Sequence, residues 1–202
     1  MENNNKEEFN MERKKMSTRT LVLGALLTAL VFVLQFMGAA IRFGTFSISL
    51  VLIPIVIGAV TCGKGVGAWL GLVFGIAVLA SGDAAAFLAV NVWGTIITVL
   101  AKGIACGFFA GLVYQALRKI VSSGYLAAVV AALVCPVVNT GIFLLGCQIF
   151  FMDTITLWAG GSNVGKYMIF VLVGGNFLFE MAVNIIFAPA IVQILKIVNK
   201  ER

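Results

Sequence analysis

Long apolar runs separated by short polar breaks dominate the pattern of this chain. After the polar residues 1–18, hydrophobic positions continue almost without interruption, and they do not alternate with polar ones. Continuous apolar runs are typical of membrane-spanning helices, whereas alternation favours the strands of a membrane barrel. The pattern predicts six spans, at about 21–37, 46–61, 66–80, 87–117, 125–151 and 167–197.

The same pattern predicts the domain organisation. Residues 1–18 are expected to form a polar N-terminal tail, and residues 19–202 a single membrane domain. The second and third runs are short for a span of about 20 residues, so we expect tilted helices or a locally thinned bilayer around them. The predicted fold class is therefore an all-α integral membrane protein, a bundle of six transmembrane helices.

Composition excludes several classes of protein. Hydrophobic residues make up 61% of the chain, charged residues only 11%, and the mean hydropathy is +1.10. A soluble domain is nearer half apolar and a quarter charged. A secreted disulfide scaffold, a disordered chain and a nucleic-acid-binding domain are therefore excluded. The chain has no histidine and no common hydrolase or metalloprotease motif, so we expect no enzyme, no metal site and no cofactor.

The distribution of basic residues predicts the orientation. An even number of spans places both termini on one side of the membrane, and most lysines and arginines fall on that side. Arg42 and Lys166 fall on the other side, and Lys102 lies within a span. The positive-inside rule therefore predicts a multi-pass protein of the plasma membrane with both termini in the cytoplasm. The longer segments 38–45, 82–86 and 153–166 are then outside, where a recognition surface is expected.

Several polar side chains interrupt the apolar spans at similar depth. At about 1.5 Å per residue, Lys102, Asn139, Asn176 and Glu180 lie roughly 15–22 Å below the outer helix ends. Because intramembrane charges are costly, such residues mark a functional site by default. We predict a polar pocket that opens to the outside. A Lys102–Glu180 ion pair that only links two helices is the alternative interpretation.

Other residues complete the predicted site. Lys102 and Arg42 suit a carboxylate or phosphate, and pantothenate is one example of such a ligand. The amides of the spans suit hydroxyl and amide groups, and an outer tryptophan suits a ring. The predicted substrate-binding residues are Asn91, Lys102, Asn139, Asn176, Glu180, Trp158 and Arg42.

Three sequence elements resemble those of one transporter family. The first span carries the small-residue pair Ala25-x-x-x-Ala29. The fourth span contains the basic residue, glycines and small residues of KGIACGFFAGLVY at 102–114. The stretch SLVLIPIVIGA at 49–59 is followed by GAWLG at 67–71. Together with six predicted spans, they resemble the substrate-binding S components of energy-coupling factor (ECF) vitamin transporters.

The resemblance implies a function that composition does not. Such a protein binds a water-soluble vitamin or related small molecule from outside with high affinity and has no ATPase of its own. It docks on an energising module, a membrane coupling subunit with two cytoplasmic ATPases, and delivers its ligand by toppling in the membrane. Ala25 and Ala29 match the docking motif, and residues 38–45 match the gating loop. Lys102 stands where many members have arginine.

Two other functions remain open from the sequence. The chain is alternatively a self-sufficient small transporter or channel, or a structural membrane protein that takes part in assembly. The first would transport without ATP. In the second, the intramembrane polar residues would serve stability alone.

Overall fold

The computed structural model describes the backbone of residues 17–40, 42–43, 46–47 and 50–200, with side chains for 17–40 and 50–194. Most of the predicted N-terminal tail lies outside these residues. The described chain is almost entirely helical. The helices are α1 Thr18–Ala40, α2 Leu52–Thr61, α3 Lys64–Ala80, α4 Ala85–Leu88, α5 Val92–Ile120, α6 Gly124–Phe150, α7 Met152–Trp158, α8 Val164–Lys166, a π-helical segment Tyr167–Val173 and α9 Gly174–Lys200.

Four helical stretches within the described residues are long and apolar enough to cross a membrane. They are Thr18–Ala40, Val92–Ile120, Gly124–Phe150 and Val164–Ile194, and α2 and α3 are shorter apolar helices. Large apolar side chains on the outward faces are exposed, among them Leu26 at 64% and Phe170 at 74%. A protein surface with this many large apolar side chains is stable in lipid but not in water. The all-helical membrane fold is therefore confirmed.

The second apolar run begins as a helix later than its hydropathy predicted. A short antiparallel pair of strands, β1 Arg42–Phe43 and β2 Phe46–Ser47, precedes it, with Arg42 opposite Ser47. Hydropathy alone does not separate a short strand from a helix, whereas the alternation Phe-Ser-Ile-Ser at 46–49 favours a strand. Helix α2 then begins at Leu52, with Pro54 in its first turn, where proline is tolerated.

Two tight links connect neighbouring helices. Gly63 joins α2 to α3 with φ of 97°, a conformation that glycine adopts without steric cost. Residues 121–123 join α5 to α6, and the Ser123 hydroxyl accepts a hydrogen bond from the Leu126 N–H at 3.4 Å. The short links force the helices on either side to run antiparallel and adjacent.

Glycines bring α3 and α5 into backbone contact. A Cβ atom placed on Gly71 would lie 2.6 Å from the carbonyl carbon of Gly103, and one on Gly67 would lie 3.0 Å from that of Gly107. Glycines recur every four residues on both helices, at 67, 71 and 75 and at 103, 107 and 111, and thus produce a continuous seam between them. Close approach of this kind provides dispersion contacts along the whole length of the seam.

Side-chain hydrogen bonds connect α1 to α3 at two levels. The Trp69 indole N–H donates to the Thr28 hydroxyl at 3.2 Å. Near the outer end, the Gln35 amide donates to the Ser81 hydroxyl at 3.3 Å and to Asp83 Oδ2 at 3.1 Å. Gln35 is 3% exposed, so these bonds satisfy an amide that would otherwise be buried without partners.

Candidate functional site

A cavity of about 150 Å³ lies among α3, α5, α6 and the segment that leads into α9. Polar and aromatic side chains share its wall, although the surrounding helices are overwhelmingly apolar. The polar lining residues are Asp83, Thr95, Thr98, Lys102, Asn139, Thr140 and Asn176, and the aromatic ones are Phe87, Phe143 and Phe151.

Lys102 is the cation of this cavity. Its Nζ lies 5.5 Å from the ring centroid of Phe74 and 5.3 Å from that of Phe143, so two aromatic faces stabilise the charge. Glu180 makes no hydrogen bond to Lys102: Glu180 Oε1 accepts from Asn176, and Oε2 has no partner within the described residues. The ammonium group therefore remains available to a ligand in the cavity.

Glu180 lies beside the cavity and is 1% exposed. The Asn176 amide donates to its Oε1 at 3.1 Å, and the Asn184 amide donates to its backbone carbonyl at 2.9 Å. The spacing of four residues places the polar side chains Asn176, Glu180 and Asn184 of α9 on one face. Glu180 does not line the cavity itself, but Asn176, which binds it, does.

Buried oxygen atoms around the cavity lack hydrogen-bond partners. Thr98 Oγ1, Asn139 Oδ1 and Asn176 Oδ1 all belong to lining residues, and none has a partner within the described part of the chain. Thr98 and Asn139 are 4% and 3% exposed. Because unpaired buried polar atoms are costly, these oxygens are groups that a ligand would satisfy.

An aromatic cluster adjoins the polar residues. The ring centroid of Phe87 lies 5.5 Å from Phe143, 5.0 Å from Phe151 and 5.5 Å from Trp158, in edge-to-face geometry each time. Trp158 does not line the cavity but supports Phe87, which does. The cavity thus has polar groups and a ring-lined wall, a combination that suits an amphipathic small molecule.

Asn91, which was predicted to bind the ligand, does not line the cavity. The Asn91 side chain caps α5 and accepts a hydrogen bond from the Gly94 N–H at 2.9 Å. In the sequence, Asn91 lies near the start of the fourth apolar run, and the apolar pattern did not indicate that it caps a helix. Arg42 begins β1, and its side chain lies outside the described part of the structure.

Sequence reasoning missed several lining residues. Thr95 and Thr98 lie on the same face of α5 as Lys102, at a spacing of three and four residues. That spacing is visible in the sequence and provides a signal for finding them. Phe87 and Phe143 gave no such signal, because aromatic residues are common on every face of an apolar helix.

The last long helical stretch, Val164–Ile194, contains a π-helical segment, Tyr167–Val173, whose final two residues line the cavity. π-helical turns are rare and frequently occur at functional sites. A Cβ atom on Gly174 would lie 2.7 Å from the Ile169 carbonyl oxygen. A side chain at this position would therefore collide with the backbone of the π-helical turn, and glycine avoids that collision. The segment positions Leu172 and Val173 on the cavity wall above Asn176.

The small residues of α1 lie on its outward face. Ala25 and Ala29 are both exposed, one helical turn apart, and Leu26 beside them is also exposed. Leu27 and Val31 are buried against the bundle on the opposite side of the helix. An exposed, smooth patch between larger apolar side chains is therefore accessible to another membrane helix.

Comparison with known proteins identifies the family. The model of the ECF transporter substrate-specific component matches residues 19–194, nearly the whole described chain. A search among curated proteins gave no individual relative that matches. Family members are membrane transporter subunits, not enzymes, which take a small-molecule substrate and work with an energising module. The chain therefore belongs to the substrate-specific components of ECF transporters.

Proposed function

We propose that this protein captures a water-soluble vitamin or a related small metabolite from outside the cell, in the cavity around Lys102. The observation that carries the proposal is a cation that makes no hydrogen bond to Glu180 and faces a polar cavity inside an apolar bundle. An ammonium group at this depth is costly unless a counter-charge comes to it. Lys102, Asn139 and Asn176 contact the ligand directly in this proposal, and Glu180 and Trp158 support them.

The proposed topology has six spans with both termini in the cytoplasm. Helix α2 has 10 residues and is about 15 Å long, so it crosses only half of a bilayer of about 30 Å. In this proposal the bilayer is locally thinned around α2. Basic residues at the link between α5 and α6, Arg118 and Lys119, support a cytoplasmic position for that link.

The proposed partner is an ECF energising module, with a membrane coupling subunit and two cytoplasmic ATPases. The exposed patch at Ala25 and Ala29 supports docking through α1, since small residues allow close approach of a partner helix. Delivery then follows by toppling of the whole bundle in the membrane, driven by the ATPases.

Substitution of Lys102 tests the site. We expect Lys102→Met to weaken ligand binding about 10- to 100-fold, because a charge-assisted hydrogen bond contributes about 1.5–3 kcal/mol. The matched variant Lys102→Arg keeps the charge and is expected to stay within about tenfold of the wild type. Binding to purified protein in detergent would be measured by isothermal titration with metabolites that co-purify or promote uptake.

The outcome also separates the proposed function from its alternatives. Uptake by vesicles that contain this chain alone, without ATP, would indicate a self-sufficient transporter. Equal binding by the Met variant and the wild type would remove Lys102 from the site. Absence of any ligand, with Lys102→Met altering stability alone, would favour an assembly protein.

A further inference from the structure

The unpaired buried side-chain atoms of the described residues share one property: all are oxygens. They are Thr98 Oγ1, Asn139 Oδ1, Asn176 Oδ1, Glu180 Oε2 and Asn184 Oδ1. Amide and carboxylate oxygens accept hydrogen bonds and do not donate them. Asn139 and Asn176 therefore each present an unpaired acceptor on the cavity wall, and the unpaired Thr98 hydroxyl can accept or donate.

Glu180 explains the orientation of the key amide. An ionised carboxylate only accepts hydrogen bonds, and Asn176 directs its NH₂ group towards Glu180 Oε1, at 3.1 Å. The opposite orientation would place two acceptor oxygens against each other in a buried environment. Asn176 Oδ1 is consequently left without a protein partner, on a residue that lines the cavity.

Asn139, from a different helix, also presents an unpaired oxygen. Its Oδ1 has no hydrogen-bond partner within the described residues, and the residue lines the cavity and is 3% exposed. Amide oxygens on α6 and α9 therefore both remain for a ligand.

We propose that Glu180 is a positioning residue that makes the cavity select an anion carrying hydroxyl or N–H donors close to its negative group. This inference rests on the proposed function, because it assigns the ligand class of the same cavity. Lys102 binds the anionic group, and the ligand's donors satisfy Asn139 and Asn176. A cavity of about 150 Å³ holds a group about the size of benzene, so the recognised part of the ligand is compact.

Matched pairs of small carboxylates test the ligand class. The probes are mandelate with phenylacetate, phenyllactate with phenylpropionate, and hydroxyisovalerate with isovalerate, which differ within each pair by one hydroxyl. We expect the wild-type protein to bind the hydroxylated member of at least one pair about tenfold or more tightly, because its deoxy partner leaves a buried acceptor unpaired. Affinities would be measured on the purified full chain by NMR and by ligand-induced thermal shift.

The role of Glu180 is tested by the ratio of the affinities for the hydroxylated and the deoxy member of a pair, compared between the wild type and its variants. Glu180→Gln has nearly the same shape but can donate, so the amide of Asn176 is free to reverse, and we expect the preference to fall below about threefold. Glu180→Asp keeps an acceptor-only group and is expected to restore part of the preference. Asn184→Ala is the matched control, because Asn184 binds the Glu180 backbone and does not line the cavity. It is expected to keep the ratio even if stability falls.

Three results would overturn the inference. They are equal binding of hydroxylated and deoxy probes by the wild type, an unchanged ratio in Glu180→Gln, and no binding of any probe. Failure of the proposed function is recognised separately, as a protein that neither assembles with an energising module nor supports uptake of any metabolite. A chain that assembles and transports, but prefers neutral, cationic or donor-free ligands, would keep the function and refute this inference alone.

Discussion

Replacing Gly71 by alanine adds one methyl group at the closest point between α3 and α5. The added Cβ would lie 2.6 Å from the carbonyl carbon of Gly103, which is 0.8 Å short of the 3.4 Å at which ordinary van der Waals contact begins. The obstacle is backbone rather than a flexible side chain, so relief requires the two helices to separate. Because Gly67 and Gly107 pack along the same seam, separation loses contacts there as well.

The expected cost of Gly71→Ala is about 3 kcal/mol, the upper end of the range for overpacking, since no rotamer change relieves the clash. For a chain of this size, that corresponds to a fall in melting temperature of about 6–12 °C. Lys102 adjoins Gly103 on α5, so a displaced helix also moves the cation of the cavity, and we expect weaker ligand binding. Both quantities are measurable on purified protein, by differential scanning fluorimetry and by titration.

Gly141→Ala provides the matched control. Gly141 lies within α6, and a Cβ there would meet nothing within 4 Å. Alanine is the better helix former by about 1 kcal/mol, so this variant should be as stable as the wild type or slightly more so. A Gly71→Ala protein with unchanged melting temperature would refute the close approach of α3 and α5, and with it the argument that the glycine spacing serves packing.

Two further substitutions separate docking and capping from binding. Replacing Ala25 and Ala29 together by tryptophan should leave ligand affinity unchanged, because both side chains lie on the outward face of α1. The same double variant should lose uptake and co-purification with the energising module. Normal uptake by this variant would contradict the docking assignment. Asn91→Ala should lower stability by about 1 kcal/mol through loss of the helix cap without changing ligand affinity, and a large loss of binding would return Asn91 to the site.

Much of the fold and part of the candidate site are predictable from the sequence. Lys102, Asn139 and Asn176 stand out because a charged or amide group within an apolar run is costly, and the structure places all three on one cavity. Thr98 and Phe143 line the same cavity but were not predicted. Threonine and phenylalanine cost little in a membrane helix, so only the packing of neighbouring helices shows which of them face inward.

Helix boundaries illustrate the same limit. The sixth run was predicted from residue 167, whereas the structure begins the helical stretch at Val164 and continues it from Tyr167 as a π-helical segment. The same residues have the same hydropathy in an α-turn and in a π-turn, so the hydropathy pattern could not predict the π-helical segment. The start of α2 at Leu52 was missed for a related reason, because the apolar residues before it belong in part to a strand. Asn91 was predicted as a binding residue because asparagine side chains form hydrogen bonds. A helix cap requires the same ability, so the residue type alone does not distinguish the two functions.

The bonds between α1 and α3 have a mechanical consequence. The hydrogen bond between Trp69 and Thr28 connects the two helices at one level. Near the outer end, Gln35 of α1 donates to Asp83, which follows α3 and lines the cavity. Since α3 is in turn held to α5 along the glycine seam, α1 is connected through packed helices to the one that carries Lys102. If a partner docks on α1 as proposed, a force on that helix would therefore move the cavity with it, and the ligand would stay bound while the bundle turns.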